Sequence, residues 1–417
     1  MLDIAWQSLR NRWSTALLAV LAIAISVALI LTVDQVRRDA RTAFVQTVSG
    51  TDLVIGARSG AVQLLLYSVF RMGNATNNMS WESATEIAER QEVAWTIPLS
   101  LGDSYRGYRV LGTNQGYFTH YRFGRDRQLS LNEGVVFDDV FDAVLGSEVA
   151  RALDHEIGDE IIIAHGTGSV GLTTHDNQPF SVAGILAPTG TPVDRTVHVS
   201  LEGIEAVHVD WRNGMQVRGE GTPADVVREM DLEPSEITAM MVGLKSRGTV
   251  FRVQRAINEY RAEPLLAILP GVALQQLWDL VGVAEKALLA VSAVVVFAGL
   301  INLISVLLSS LAERRREMAI LRSAGASPGT VFRLLCLESS LLAIAGIVAG
   351  FLLHQIVVRI VSALLSARFG LDLPSRLPGV PELLLCLAIL AGAIIAGAIP
   401  AWRAYRQSLA DGMAQRT

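Results

Sequence analysis

Apolar residues collect into four long runs, and the stretch between the first two carries short alternating and helical patterns instead. Residues 14–33 give twenty positions without a charge, about the length that crosses a ~30 Å hydrocarbon core. A cleavable leader would have a shorter apolar centre followed by a small-residue cleavage site, so this run reads as a retained anchor. Further spans are expected over about 287–311, 334–358 and 383–402. Apolar residues at Val36, Ala40, Ala43, Phe44 and Val48 keep a helical spacing beyond the first run, and Leu274, Leu277, Trp278 and Val281 do the same before the second. Both extensions read as stalks, with Trp278 near the outer interface and the apolar stalk faces available to a second copy.

Between the stalks the pattern is mixed α/β. Strands are expected at 52–55, 93–99, 105–111, 161–164, 180–186, 196–200 and 237–244. Helices are expected at 62–72, 81–90, 148–153, 201–208 and 249–260. The fold class is therefore a membrane α-helical protein with four transmembrane helices and a large α/β extracytoplasmic domain inserted between helices 1 and 2. Its domains divide as 1–33, 34–282 and 283–417.

Charge fixes the orientation. The 417 residues carry a net charge of −5, yet segments 1–13, 312–333 and 402–417 are net positive by 1, 3 and 2, leaving −11 for the remainder. Basic flanks face the cytoplasm, so both termini are expected inside and the large domain outside. No basic patch lies elsewhere, which argues against a nucleic-acid partner. The two cysteines, Cys336 and Cys386, sit in or beside apolar runs, and the outer domain has none to cross-link.

The most distinctive stretch joins the second and third runs. Arg314, Arg315 and Arg316 can reach lipid headgroups from the end of a span. Met318, Leu321 and Ala324 or Gly325 then recur at helical steps; Gly325 can end that short helix, Ser327 can cap the next, and Pro328 suits its first turn. REMAILRSAGAS at 316–327, followed by Glu338-Ser-Ser-Leu-Leu, resembles the coupling segment of FtsX/MacB-type ABC permeases. The closing Pro400-Ala-Trp-Arg-Ala, the start of the first span at 8–30, and VLGSEVA, GDEI and FSVAGIL in the outer region extend the resemblance across the chain.

That resemblance implies a MacB-like periplasmic core domain and a permease gripped by a dimer of cytoplasmic ABC ATPases. It assigns ATPase coupling to Arg316, Glu317, Met318, Leu321, Arg322, Gly325, Ala326 and Ser327. Further expected partners are a second permease copy, the bilayer, and a periplasmic adaptor or substrate-binding protein. It places the chain in a bacterial inner membrane, exporting or extracting a substrate at the outer face. A regulator of an envelope enzyme, moving no cargo, is the alternative.

Chemistry within the chain looks sparse. The two lysines, Lys245 and Lys286, lie outside any Walker-type phosphate loop, so ATP and Mg²⁺ are expected on the partner ATPase and no cofactor here. No catalytic residue is assigned. Glu338, His354 and Arg359 are intramembrane polar groups, with Glu338 read as a structural anchor that pairs with Arg333 or Arg322. Of the outer histidines, His208 with Glu202 and Glu205 offers ligand types at helical spacing, but solvated histidines are the simpler expectation and no metal is assigned.

Overall fold

The computed structural model describes residues 7, 10, 12–47, 49–124, 126–166, 178–212, 215–216, 221–313, 326–369 and 378–406. Two compact units emerge: Met1–Asp39 with Gly282–Ala363 and Leu373–Thr417, and Ala40–Val281 with Leu364–Asp372. The first helix, α1 (Trp13–Thr47), runs unbroken past the apolar segment, so the expected stalk is a continuation of the span. At 1.5 Å per residue its 35 residues extend about 52 Å, well beyond a ~30 Å hydrocarbon core.

The outer unit follows in the order β1 (Leu53–Ala57), α2 (Ala61–Ser68), α3 (Trp81–Ala88), β2 (Val93–Tyr105), β3 (Tyr108–Thr113), β4 (Leu131–Gly134), β5 (Asp142–Leu145), α4 (Ser147–Leu153), β6 (Ala164–His165), β7 (Phe180–Leu186), β8 (Thr196–Ser200), α5 (Leu201–His208), β9 (Ala239–Leu244), α6 (Val250–Asn258) and β10 (Leu265–Ile268). One sheet of eleven described strands runs β10-β1-β9-β2-β3-β8-β5-β7-β4, with β6 added to β2 and Glu160–Ile161 added to β7. The β8–β3 and β5–β7 pairs are parallel and the rest antiparallel. Alternation along β1 builds two layers: Val54 joins Leu64 and Leu65 of α2, while Leu53 and Ile55 join Ile87 of α3 and Val253 and Ile257 of α6. Serines set two helix starts. Ser80 Oγ accepts from Ser83 N at 3.2 Å, and Ser200 Oγ accepts from Gly203 N at 2.9 Å.

Three local expectations are corrected. The run 105–111 is not one strand: Arg106 and Gly107, both at positive φ, form the two-residue connection between β2 and β3. The helix expected over 62–72 stops at Ser68, and Arg71 takes a left-handed backbone and donates to the Ser68 carbonyl. The β10 strand was missed, because the five apolar residues between Pro264 and Pro270 carry too little period to read.

Three further helices complete the chain: α7 (Pro270–Glu313), α8 (Pro328–Phe369) and α9 (Val380–Arg406). With α1 they are the four described helices long and apolar enough to cross a membrane. Each is longer than the apolar run that announced it. In the membrane unit Ala19, Ile23, Val27 and Leu31 line one stripe of α1 at a four-residue step, against Leu303 and Leu307 of α7, Leu342 and Ala343 of α8, and Ile389 and Ala393 of α9.

The stalk reading needs one correction. In the outer unit Phe44 packs against Phe70 with ring centres 4.4 Å apart and planes tilted by 40°, and meets Trp278 edge-on at 5.6 Å. Leu274 is buried, and Leu277 and Trp278 pack on the same cluster. These side chains fill the chain's own core and are not a face held open for a second copy; Trp278 is a core contact rather than an interfacial anchor.

Candidate functional site

The start of α8 is built as the sequence suggests. Ser327 Oγ lies 3.3 Å from Thr330 N and 3.0 Å from Thr330 Oγ1, and Pro328 occupies the first turn, where its missing N–H costs nothing. Ala326 and Ser327 are described; Arg316, Glu317, Met318, Leu321, Arg322 and Gly325 lie outside the described residues. Glu338 is buried, 2% exposed, at a depth where a carboxylate needs partners; of its expected partners, Arg322 also lies outside the described residues. Arg359, in contrast, is exposed.

Helix α1 is tied to each of the other three by polar contacts near the point where the chain leaves for the outer domain. Thr32 Oγ1 and His354 Nδ1 of α8 are 2.9 Å apart. Arg37 donates to Glu285 of α7 at 2.8 Å and to Asp34 at 3.1 Å. Arg38 pairs with Asp34 at 2.7 Å and with Glu382 of α9. His354 is thus buried and bonded, and serves as a structural tie. Closer to the middle, small residues replace charges. Gly346 lies against Ile23, Gly350 against Ala24 and Val27, and Gly299 against Ser26, whose hydroxyl donates to Ala22 O and lies 3.2 Å from Val295 O of α7. Gly346-x-x-x-Gly350 is the small-x-x-x-small pattern that lets two membrane helices approach closely. It was legible in the sequence as a spacing and was overlooked because glycine carries no apolar signal.

The outer domain holds a cleft of about 770 Å³ lined by Arg58, Arg71, Arg109, Glu236 and Glu263 among others. Arg109 donates to Gly73 O and Asn74 Oδ1, both at 2.9 Å; burial and the nearby Arg71 charge hold its guanidinium below the ordinary value.

The histidines are not uniformly solvated, contrary to expectation. His155 bridges the Tyr105 hydroxyl and Asp159, at 2.9 and 2.8 Å. His198 is fully buried beside Tyr117 and Phe118, with Nδ1 donating to Val144 O at 3.1 Å. Burial, helped by the Arg71 charge, pushes its pKa down to about 3. The folded pKa lies below the unfolded one of ~6.5, so the neutral ring contributes stability above pH 6.5 that is lost as pH falls toward 3. Each tenfold loss of proton affinity is worth about 1.4 kcal/mol, so about 2 kcal/mol should be gone at pH 5. Thermal unfolding of the detergent-solubilised chain should show this fall between pH 6.5 and 5, and His198→Gln should flatten it. An unchanged pH profile in that variant would contradict the assignment.

His208 does not gather Glu202 and Glu205. His165 on β6, His208 at the end of α5 and Asp103 on β2 converge instead, with their ligand atoms within 4.8 Å of one another.

Four described helices apolar and long enough to cross a membrane, with an α/β domain between the first and second, are the layout of a membrane protein with one large inserted domain. The model of the MacB-like periplasmic core domain matches residues 16–260, and that of the FtsX-like permease C-terminal region matches 289–409. The chain belongs to the MacB/FtsX family of permeases. Among solved structures it is similar to the periplasmic region of MacB from Actinobacillus actinomycetemcomitans, at 12% identity, covering 56% of this chain and 97% of that one, with TM-score 0.35. The extracellular domain of the noncanonic ABC-type transporter YknZ from Gram-positive bacteria is also 12% identical, covering 52% and 99%, with TM-score 0.30. No curated protein matches the chain.

Proposed function

We propose that this permease couples ATP hydrolysis by a separate cytoplasmic ABC ATPase to movement of its outer domain, exporting or extracting a substrate at the outer face of a bacterial inner membrane. The observation that carries the reading is the FtsX-like match over 289–409, which spans the whole connection from α7 to α8. On this reading the ATPase dimer grips residues 316–327, the capped start of α8 transmits the push, and the long continuous helices α1 and α7 act as stiff rods. A second copy would complete the machine, and the exposed apolar residues Leu288, Val291, Val294 and Phe297 of α7 suit lipid or that copy. The size of the outer sheet favours cargo handling over a regulator that moves none. Lipoprotein, lipid, peptide, haem, metal complex and drug are all compatible cargo classes.

The test is co-purification with the ATPase encoded beside it. Wild type should form a stable complex and alter ATP turnover. Glu317→Arg with Arg322→Glu should weaken that complex roughly ten- to hundredfold, the effect of about 1–3 kcal/mol of misplaced charge at a contact. If no ATPase binds the wild type, or the reversed chain couples normally, the reading fails.

A further inference from the structure

We infer that Asp103, His165 and His208 form a binding site for a divalent transition-metal ion on the outer domain. The three residues come from separate elements that the sheet brings together. A register shift between Leu101 and Ser104 in the β2–β3 pairing sets Asp103 apart from the regular ladder, and β6 pairs with β2 so that His165 stands directly across from Asp103. The C-terminal end of α5 brings His208 to the same point.

The distances suit an ion. His165 Nδ1 is 3.1 Å from Asp103 Oδ1, His208 Nε2 is 3.3 Å from His165 Nδ1, and His208 Nε2 is 3.8 Å from Asp103 Oδ1. A tetrahedral ion with bonds of about 2.0–2.1 Å holds its ligand atoms about 3.3 Å apart. An ion at that bond length could touch all three atoms and keep a fourth position for water or another ligand, the pattern of open metal sites.

The tautomer points the same way. His208 Nδ1 is 2.7 Å from the Ile204 carbonyl, which can only accept, so Nδ1 carries a proton and Nε2 is the ring nitrogen that faces the cluster. Such a backbone bond to the far nitrogen is how metal-ligating imidazoles are oriented. Asp103 is 2% exposed and has both imidazoles within 4 Å of its Oδ1. Trp211 packs against both rings, at 5.4 and 6.1 Å, and walls one side. Two imidazoles and one carboxylate suit Zn²⁺ and its late first-row neighbours better than Mg²⁺ or Ca²⁺. Binding would fasten β6 and the end of α5 to β2.

The experiment uses the full chain in detergent, treated with chelator and titrated with Zn²⁺ by calorimetry, alongside thermal unfolding. Wild type should bind one ion per chain at this site and unfold at a higher temperature when loaded. His165→Gln and His208→Gln should each lower affinity at least tenfold, and the double variant should lose both the binding event and the thermal shift. His165 is 45% exposed at its side chain, so its glutamine variant should keep the metal-free unfolding temperature and report binding alone. Co²⁺ in place of Zn²⁺ should give a visible-absorption band in wild type that the double variant lacks. Absence of Zn²⁺ binding in wild type, or equal binding in the double variant, overturns the site.

Discussion

Gly346→Leu combined with Gly350→Leu is expected to prevent the four membrane helices from packing as they do here. A Cβ on Gly350 would stand 2.7 Å from the Ala24 carbonyl oxygen and 2.7 Å from Val27 Cβ. A Cβ on Gly346 would stand 2.7 Å from both Cβ and Cγ2 of Ile23. Both obstacles belong to α1, whose opposite contacts to α7 and α9 leave it little room to retreat. Overpacking of this kind costs about 1–3 kcal/mol per site, so the pair should cost roughly 2–6 kcal/mol. In a chain of this size that lowers the unfolding midpoint by roughly 2–7 °C. The measurement is thermal unfolding and gel-filtration monodispersity in detergent. Gly271→Ala is the control, since nothing lies within 4 Å of the added methyl. Wild-type behaviour in the double leucine variant would show that α8 does not approach α1 through these glycines.

The second large effect is expected from Asp194→Ala. Its carboxylate is buried and accepts from Thr189 N at 2.8 and 3.0 Å, Thr189 Oγ1 at 2.8 Å and Gly190 N at 2.7 Å. Desolvation raises its pKa while these donors pull it down, and burial wins. The loop it closes is locked from the other side as well. Gly146 N donates to Thr196 O at 2.9 Å, and a Cβ on Gly146 would meet Val193 O at 2.3 Å and Asp194 O at 2.5 Å. Truncation leaves the buried Thr189 N and Oγ1 and the part-buried Gly190 N without this acceptor, each loss costing about 1–3 kcal/mol when nothing replaces it. With partial relaxation a loss of about 3–5 kcal/mol is expected, seen as a lowered unfolding temperature and new protease cleavage between 187 and 196. Asp194→Asn, which keeps one acceptor oxygen, should lose about half as much. A truncated variant as stable as wild type would mean that the loop is held by Gly146 and Thr191 alone.

These two cases mark where the sequence was informative. VLGSEVA was visible as a motif, and the helix expected at 148–153 is found at Ser147–Leu153. That the backbone of Asp194 seals Gly146 depends on contacts between segments some fifty residues apart. Nothing local signals them. Likewise, the strands at 180–186 and 196–200 and the helix at 201–208 were legible residue for residue, because alternation and a capping serine are local properties. The 105–111 reading failed because Arg106 occupies a backbone region that only its hairpin partners enforce.

The candidate sites divide in the same way. Ser327 and Pro328 were identifiable as a helix start from their types alone. The trio of Asp103, His165 and His208 was not, since its members are 62 and 43 residues apart and β6 pairing supplies the register. His208 beside Glu202 and Glu205 looked the better group only because helical spacing is the one proximity that a linear reading can measure.

By itself the sequence determined four helices long and apolar enough to cross a membrane, the place and α/β class of the inserted domain, and the family. Those follow from run length, period and charge, which act on neighbouring residues and need no partner. Tertiary structure alone decided that Phe44 and Trp278 belong to the outer core, that two glycines carry the α1–α8 contact, and that two histidines meet one buried aspartate. Each depends on side chains far apart in the chain meeting at a few ångströms, a condition set by packing and register and not by any local preference.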